Sequence, residues 1–285
     1  MQTAQTRPVG VLGAGRMGLP IIGHLVRAGF SVVVYDVDLA KRETVVDKGA
    51  TFVTDSGDFA ARCSTVLVCV GYEEQLNELM LGGRDAGGRN PGDGGMLGRL
   101  PVGALVAVLS TVSPEVMRRL HAAAEPHGID VVDAPVCRGS RAADAAELLS
   151  LLGGTEAATA RFTPVARAYS SDVVRLGDIG AGQVGKAVNN LILWACLVAD
   201  HEGLALAERF GVDIDQLRSA LRMSSAANHA LDNWGNQTMA WAEDDMKIVQ
   251  DMAAETGIAL PQSALNREIC RALKPRRYRL AEYGR

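Results

Sequence analysis

Lys186, Asn189 and Asn190 stand close together in Gly182-Gln183-Val184-Gly185-Lys186-Ala187-Val188-Asn189-Asn190. On a helix, Lys186 and Asn190 lie one turn apart on a face that continues through Leu193, Trp194 and Leu197. An ammonium on such an apolar face is costly to bury and calls for a reason. One reason is structural: a lysine that snorkels to water or meets an acid, with a capping asparagine nearby. The other is chemical. Oxidising an alcohol removes a hydride from carbon and a proton from oxygen, and the reverse reaction must protonate a forming alkoxide. A lysine partly shielded from water can give or take that proton near neutral pH. The amide of Asn190 can orient the lysine or bond the substrate oxygen, and Asn189 joins it as a candidate substrate-binding residue.

A hydride needs a carrier, and the start of the chain reads as a place for one. Val9-Gly10-Val11-Leu12-Gly13-Ala14-Gly15-Arg16-Met17-Gly18, an apolar run, then Val32-Val33-Val34-Tyr35-Asp36 give strand, glycine turn, helix, strand and acid. Gly13 permits the tight turn, Gly15 lets the backbone approach a pyrophosphate, and Gly18 lets helix and strand pack closely, with Ala14, Arg16 and Met17 completing the turn. The helix start offers unpaired N–H groups and the positive end of its dipole to phosphates. Asp36 is spaced to accept hydrogen bonds from a ribose hydroxyl, and a 2′-phosphate there would face a like charge. The expected cofactor is therefore NAD. NADP is the alternative, through Lys41 and Arg42 folded back onto the phosphate, but no arginine directly follows Asp36.

A second constellation, Asp133-Ala134-Pro135-Val136-Cys137-Arg138-Gly139-Ser140, follows the apolar strand 129–132. Ligands in open α/β sheets bind at such strand ends. Cys137, Arg138 and Gly139 are candidate substrate-binding residues: backbone N–H groups of the turn can cradle a carboxylate, and Arg138 can clamp it. A tight turn with a surface arginine is the plain alternative.

These residues need elements to hold them. Apolar strands read at 9–12, 31–35, 66–70, 104–109 and 129–133, and helices at 18–28, 39–48, 73–80 and 114–124. Segments at 147–153 and 172–176 extend the sheet. Short apolar strands alternating with helices predict a doubly wound parallel α/β sheet of Rossmann type. Val70 and Gly71, which end one strand, join Ser110 and Thr111, after the next, as candidate cofactor-binding residues. The stretch Leu81 to Pro101 is crowded with glycine and reads as a solvated surface loop, with a lid as the rival reading. From 183 to 210 runs a long helical pattern without proline, followed by helical segments at 213–222, 225–239, 243–256 and 261–273. The predicted organisation is a nucleotide-binding domain over 1–178, a long inter-domain helix, and an all-α substrate and dimerisation domain over 179–285. An all-α domain built on one long apolar helix calls for a second copy, so a homodimer or homotetramer is expected. The basic segment Lys274 to Arg279 reads as a frayed terminus.

Composition narrows the partners. The chain has 285 residues, is 48% hydrophobic and 22% charged, and carries a net charge of −4. It advertises no basic face for nucleic acid. No apolar run approaches membrane-span length, Met1 to Pro8 lack a signal-peptide core, and a cytoplasmic location with no membrane partner is expected. Cys63, Cys69, Cys137, Cys196 and Cys270 form no C-x-x-C pair and no metal spacing with histidines, so no metal is expected, and Cys69 reads as a buried inert thiol. His201, beside Glu202, suggests a proton relay, but nothing else converges on it and a satisfied or surface histidine is the better reading.

With these motifs in place, the chain resembles the β-hydroxyacid dehydrogenase family, the group of 3-hydroxyisobutyrate dehydrogenase and tartronate semialdehyde reductase, with 6-phosphogluconate dehydrogenase more distant. The resemblance rests on the glycine turn Gly13 to Gly18, on Ser110-Thr111-Val112-Ser113-Pro114, on Asp133-Ala134-Pro135-Val136, on Leu148 to Gly154, and on Gly182 through Asn190. It implies Lys186 as general acid/base, Asn190 as its substrate-orienting partner, a nicotinamide-side role for the Ser110 segment, and oxidation of a small 3-hydroxy acid. Two departures stand out. Cys137-Arg138-Gly139 replaces the family's Ser-Gly-Gly, and Asp244-Asp245-Met246 replaces its Lys-Asp-Leu, so Asp244 occupies a cofactor-side position normally held by a cation. Imine reduction on a similar scaffold is the alternative reaction, and a non-catalytic nucleotide-binding scaffold the alternative role. Lys186 speaks against both, since the imine-reducing group usually carries Asp or Tyr there.

Overall fold

The structure is a computed structural model and describes residues 7–82 and 95–284. Most of the glycine-rich stretch read as a surface loop, 83–94, lies outside the described residues. The chain forms two compact units, Met1–Lys186 and Ala187–Arg285.

The first unit runs β1 (Val9–Leu12), α1 (Gly18–Arg27), β2 (Val32–Tyr35), a 3-10 turn, α2 (Arg42–Asp47), β3 (Thr51–Val53), α3 (Ser56–Arg62), β4 (Thr65–Val68), α4 (Glu73–Leu81), β5 (Leu105–Val108), α5 (Pro114–Ala124), β6 (Asp130–Asp133), β7 (Val136–Cys137), α6 (Gly139–Ala145), β8 (Leu148–Gly153), α7 (Glu156–Ala166) and β9 (Ser170–Gly177). The sheet order is β3-β2-β1-β4-β5-β6-β8-β7, with β9 on β8. Strands β1 to β6 pair in parallel, β8 is antiparallel to both β6 and β7, and β9 is parallel to β8. The six parallel strands are wound in the dinucleotide-binding order, whose direction of travel reverses between β1 and β4.

The valine-rich strands are apolar throughout because both faces are covered. On one face Ile21, Ile22 and Leu25 of α1 and Phe162 of α7 are fully buried; on the other, Phe59 of α3, Leu76 of α4 and Met117 of α5. Caps set the helix starts: Ser113 Oγ accepts from the Val116 N–H, with Pro114 in the first turn, and Thr155 Oγ1 accepts from the Ala158 N–H. The sequence reading foresaw neither α3 nor α7, and both have such a cap, that of α3 being Asp55 on the Asp58 N–H. The expected helix 39–48 is a 3-10 turn, Leu39–Lys41, followed by α2.

The long helix α8 (Ala181–Arg209) begins in the first unit. In the second unit follow α9 (Ile214–Leu221), α10 (His229–Asp232), α11 (Ala242–Thr256) and α12 (Pro261–Leu273), with no strand among its described residues. Trp194, Leu197, Met246, Val249, Cys270 and Leu273 form its core. The indole N–H of Trp194 donates to the buried Asp245 Oδ2 at 2.9 Å.

Three expectations are corrected here. The helix expected over 225–239 shrinks to α10, because Gly235 and Met239 take left-handed backbone that a helix cannot continue. The segment after α12 is not frayed: Leu280 is buried, Tyr278 donates its backbone N–H to His201 Nε2 at 3.0 Å, and the Tyr283 hydroxyl donates to Glu202 at 2.8 Å. Helix α8 is, by length and mean hydropathy of 1.2, long and apolar enough to cross a membrane, although Lys186 and Asp200 interrupt its apolar runs. Its buried residues serve the core of a helical unit, the other setting in which such a helix occurs.

His201 is a satisfied core residue. Its Nε2 accepts from Tyr278, so its Nδ1–H donates to the Leu197 carbonyl at 2.7 Å. Burial holds its pKa below the ordinary 6.5.

Candidate active site

The glycine turn after β1 is built as its spacing demands. Gly13 has φ +97°, and a Cβ there would meet the Cys69 carbonyl oxygen at 2.6 Å. A Cβ on Gly18 would lie 2.1 Å from the Gly13 oxygen. Gly15 differs: a Cβ there would meet nothing within 4 Å. Protein packing therefore explains glycine at 13 and 18, whereas at 15 it leaves an open backbone face, as close approach of a pyrophosphate requires. Arg16 is exposed beside it, and Met17 packs partly on the core.

Asp36 ends β2 with its side chain nearly buried. Its Oδ2 accepts from the Ala14 N–H at 2.7 Å and from Lys41 Nζ at 2.9 Å, and its Oδ1 accepts from the Asp38 N–H at 2.9 Å. Burial works against the charge, yet the two backbone bonds and Lys41 prevail and hold the carboxyl below its ordinary value. Asp36 thus ties its strand end to the glycine turn. The residues present fit a dinucleotide: an open glycine, a helix N-terminus and an acid at the neighbouring strand end.

The ends of β4 and β5 adjoin this turn. Cys69 donates its backbone N–H to the Leu12 carbonyl at 2.8 Å, and Ser110 Oγ donates to the Val70 carbonyl at 2.8 Å. Gly71, exposed, donates its N–H to Gln75 Oε1. Thr111 is half-buried beyond Ser110. Burial pushes the Cys69 thiol up to about 12, consistent with an inert group.

Two residues of the motifs above, to which the sequence alone assigns no individual role, fasten α8 to this edge. Asp133, wholly buried, accepts from the Gly180 N–H on Oδ1 at 2.8 Å and from the Gln183 N–H on Oδ2 at 2.9 Å. Gly153 and Gly182 make room for it, since a Cβ on either would lie within 2.6 Å of a carboxylate oxygen. Burial pushes its carboxyl up, against the pull of these backbone bonds. Gln183, 1% exposed, donates from Nε2 to the Ser110 carbonyl at 2.8 Å and accepts on Oε1 from the Val112 N–H at 3.2 Å. The signal was present: an acid closing an apolar strand must find buried donors, and a glycine-rich helix start supplies them.

Lys186 follows Gln183 by three residues on α8 and is half-buried. Among the described residues, no hydrogen bond or ion pair engages its amine. Asn190 is one turn further along and buried, and its Oδ1 accepts from Asn189 Nδ2 at 3.0 Å.

The segment from β7 into α6 departs from expectation. Arg138 does not stand free as a carboxylate clamp: its Nη1 donates to Asp172 Oδ2 at 2.8 Å, to Ser171 Oγ and to the Glu147 carbonyl. Its charge is met by an acid of its own sheet edge. Cys137 is buried in β7 opposite Leu149, so its thiol is not presented as a donor at the surface. Gly139 is exposed with φ +74° and turns the chain into α6. In the second unit Asp244 is exposed near the start of α11, while its neighbour Asp245 holds Trp194. No cluster of histidine, cysteine and acid side chains able to hold a metal occurs among the described residues.

Comparison with known proteins covers nearly the whole chain. The family model for the NAD binding domain of 6-phosphogluconate dehydrogenase matches residues 8–177, and the model described as NAD-binding of NADP-dependent 3-hydroxyisobutyrate dehydrogenase matches residues 180–281. A 3-hydroxyisobutyrate dehydrogenase of Pseudomonas aeruginosa is 33% identical over 223 residues, 78% of this chain and 72% of that protein. An NAD-dependent L-serine dehydrogenase of the same organism is 29% identical over 260 residues, 89% of this chain and 84% of that one. Among solved structures, Mycobacterium tuberculosis 3-hydroxyisobutyrate dehydrogenase with L-serine superposes with a TM-score of 0.82 at 24% identity, covering 95% of this chain and 94% of that one. An imine reductase from Myxococcus stipitatus in complex with NADP+ shares the fold at a TM-score of 0.67 and 18% identity, covering 94% of each chain.

Proposed function

Since the chain belongs to the β-hydroxyacid dehydrogenase family and is an NAD(P)-dependent oxidoreductase of the CH–OH class, we propose that it oxidises a small 3-hydroxy acid with NAD, using Lys186 as general acid–base. The observation that carries this reading is the placement of Lys186. Its helix is fastened, one turn earlier, to the β5 loop at the edge where the dinucleotide binds. The nicotinamide, when bound, supplies the hydride-accepting carbon. The glycine turn would hold the pyrophosphate on backbone N–H groups, and Asp36 would take the adenosine ribose. In oxidation, the neutral Lys186 amine takes the hydroxyl proton; in reduction its ammonium returns a proton to the forming alkoxide. Asn190 orients the substrate oxygen. NAD is favoured over NADP because Asp36 is an anion and Lys41 is already bound to it.

Arg138 takes no part in this reading. The substrates to try first are those named for the relatives, L-serine and 3-hydroxyisobutyrate. Lys186→Ala should lower kcat by about 10²–10⁴-fold, the usual worth of a positioned acid–base, while the NADH dissociation constant stays unchanged. A variant with near-wild-type kcat would remove the assigned role. Turnover of cyclic imines but of no hydroxy acid would transfer the protein to the imine-reducing reaction. We also infer a homodimer, supported by Ile192 and Leu206, 58% and 59% exposed on α8, and by Phe210, 79% exposed just beyond its end. Light scattering of a size-fractionated sample tests it, and a monomer at micromolar concentration would refute it.

A further inference from the structure

We propose that Gln183 is a positioning residue: its carboxamide sets the register between the loop Ser110–Val112 and the helical turn that carries Lys186. The proposal rests on the acid–base reading of Lys186 given above. Gln183 is held from both ends. Its backbone N–H is bound by Asp133, and its side chain, 1% exposed, meets two backbone groups of the loop. It donates to the Ser110 carbonyl at 2.8 Å and accepts from the Val112 N–H at 3.2 Å. Thr111 is bracketed between these bonds. The loop is anchored on its other side by Ser110 Oγ on the Val70 carbonyl, which joins the ends of β5 and β4, one strand from the point where the sheet order reverses. A displacement of Gln183 is passed to Lys186, because three residues of helix span only about 4.5 Å and move as one body.

The chemistry demands a carboxamide. One atom must donate and the other accept at the same time, to groups two residues apart in a buried place. A methionine fills the volume and offers neither. A glutamate anion accepts from Val112 but opposes the Ser110 carbonyl. A protonated glutamate restores both bonds, its O–H donating to Ser110 and its carbonyl accepting from Val112.

The test uses Gln183→Met and Gln183→Glu. Gln183→Met should lower kcat about 100-fold with KM within about threefold, since an ångström of misplacement acts on the transition state more than on ground-state binding. Gln183→Glu should show a similar loss at pH 8 and recover toward wild type, compared at equal pH, as the solution is acidified. Burial of that position and the facing Ser110 carbonyl raise the new acid's pKa; the charged side chains closest along the chain contacts are Asp133, on the backbone N–H of the same residue, and Lys186, three residues further along the helix. In the cofactor-free protein, hydrogen exchange gives a second readout: the Val112 amide should be protected in wild type, at least tenfold less so in Gln183→Met, and protected again in Gln183→Glu at low pH. Wild-type kcat and Val112 protection in Gln183→Met would overturn the proposal. So would a Gln183→Glu enzyme whose deficit ignores pH, for that is the mark of lost packing. If Gln183→Met does not fold, the Gln183→Glu titration decides alone. If the wild type turns over no hydroxy acid, the acid–base reading fails, and Val112 protection still decides whether Gln183 holds the loop.

Discussion

Two carboxylates, the buried Asp133 of the sheet unit and the half-buried Asp200 of the helical unit, are treated in opposite ways. Asp133 in the sheet unit is satisfied by backbone: Gly180 and Gln183 each donate to a different oxygen. Asp200, on α8 in the helical unit, accepts from Asn228 on Oδ1 at 3.0 Å, while its Oδ2 is buried without a hydrogen-bond partner. It lines a cavity of about 400 Å³ with Cys196, Gly203, Leu204, Leu217 and Leu221. Burial pushes both carboxyls up. The contrast extends beyond these two. Among the described residues, the helical unit also buries Arg218 Nε, Ser263 Oγ, Asn266 Nδ2 and Arg267 Nε without a partner, whereas the sheet unit leaves only His121 Nδ1 and the Tyr169 hydroxyl. A wound sheet closes its polar interior with its own backbone. A small helical unit spends its backbone groups inside helices and has fewer to offer buried side chains.

The largest effect expected is on Asp133. Asp133→Ala strands two buried N–H groups at about 1–3 kcal/mol each and should lower stability by their sum. Asp200→Ala removes an ill-satisfied acid and should change stability by less than about 1 kcal/mol, or raise it. Urea denaturation measures both, and equal losses would break the contrast. A middle-sized effect separates packing from ligand binding within the sheet unit. Gly18→Ala, with its Cβ against the Gly13 carbonyl, should cost about 1–3 kcal/mol. Gly15→Ala should leave stability within about 0.5 kcal/mol and weaken NADH binding about tenfold or more. A destabilised Gly15→Ala protein with intact binding would contradict the open face.

The smallest effect is a difference in acid response. His201 has a folded pKa below 6.5, so its contribution to stability is complete above pH 6.5 and is lost as the pH falls from there. Asp36 has a folded value below 3.8, so the stability it lends persists until the pH drops under 3.8. Asp200, pushed up, titrates in the opposite sense to His201, giving relief on acidification. Thermal melts of wild type and His201→Gln between pH 7 and 5 isolate the histidine. The variant should lose the downward slope, and an unchanged slope would show that the ring does not control it.

What the sequence made legible was local. Gly13, Gly15, Gly18 and Asp36 declare a dinucleotide turn because the spacing itself is the geometry. Lys186 and Asn190 stand out because an amine and an amide interrupt an apolar helical face. What stayed hidden depends on partners far along the chain. Asp133 finds its donors 47 and 50 residues away, and the Gln183 side chain finds its partners more than 70 residues away. Arg138 reads as a clamp until its acid, 34 residues on, comes into view. The helix expected over 225–239 was overdrawn for a simpler reason: Gly235 and the left-handed Met239 break a run that hydrophobic spacing alone would continue.

The stacking of His201 also has an optical consequence. Its ring centre lies 4.4 Å from that of Trp234 and 5.2 Å from that of Tyr278. An imidazolium draws electron density from an excited indole and quenches its emission, while a neutral imidazole does so weakly. Trp234 should therefore dim as His201 gains its proton, so that the protein carries its own dye for the state of its helical half.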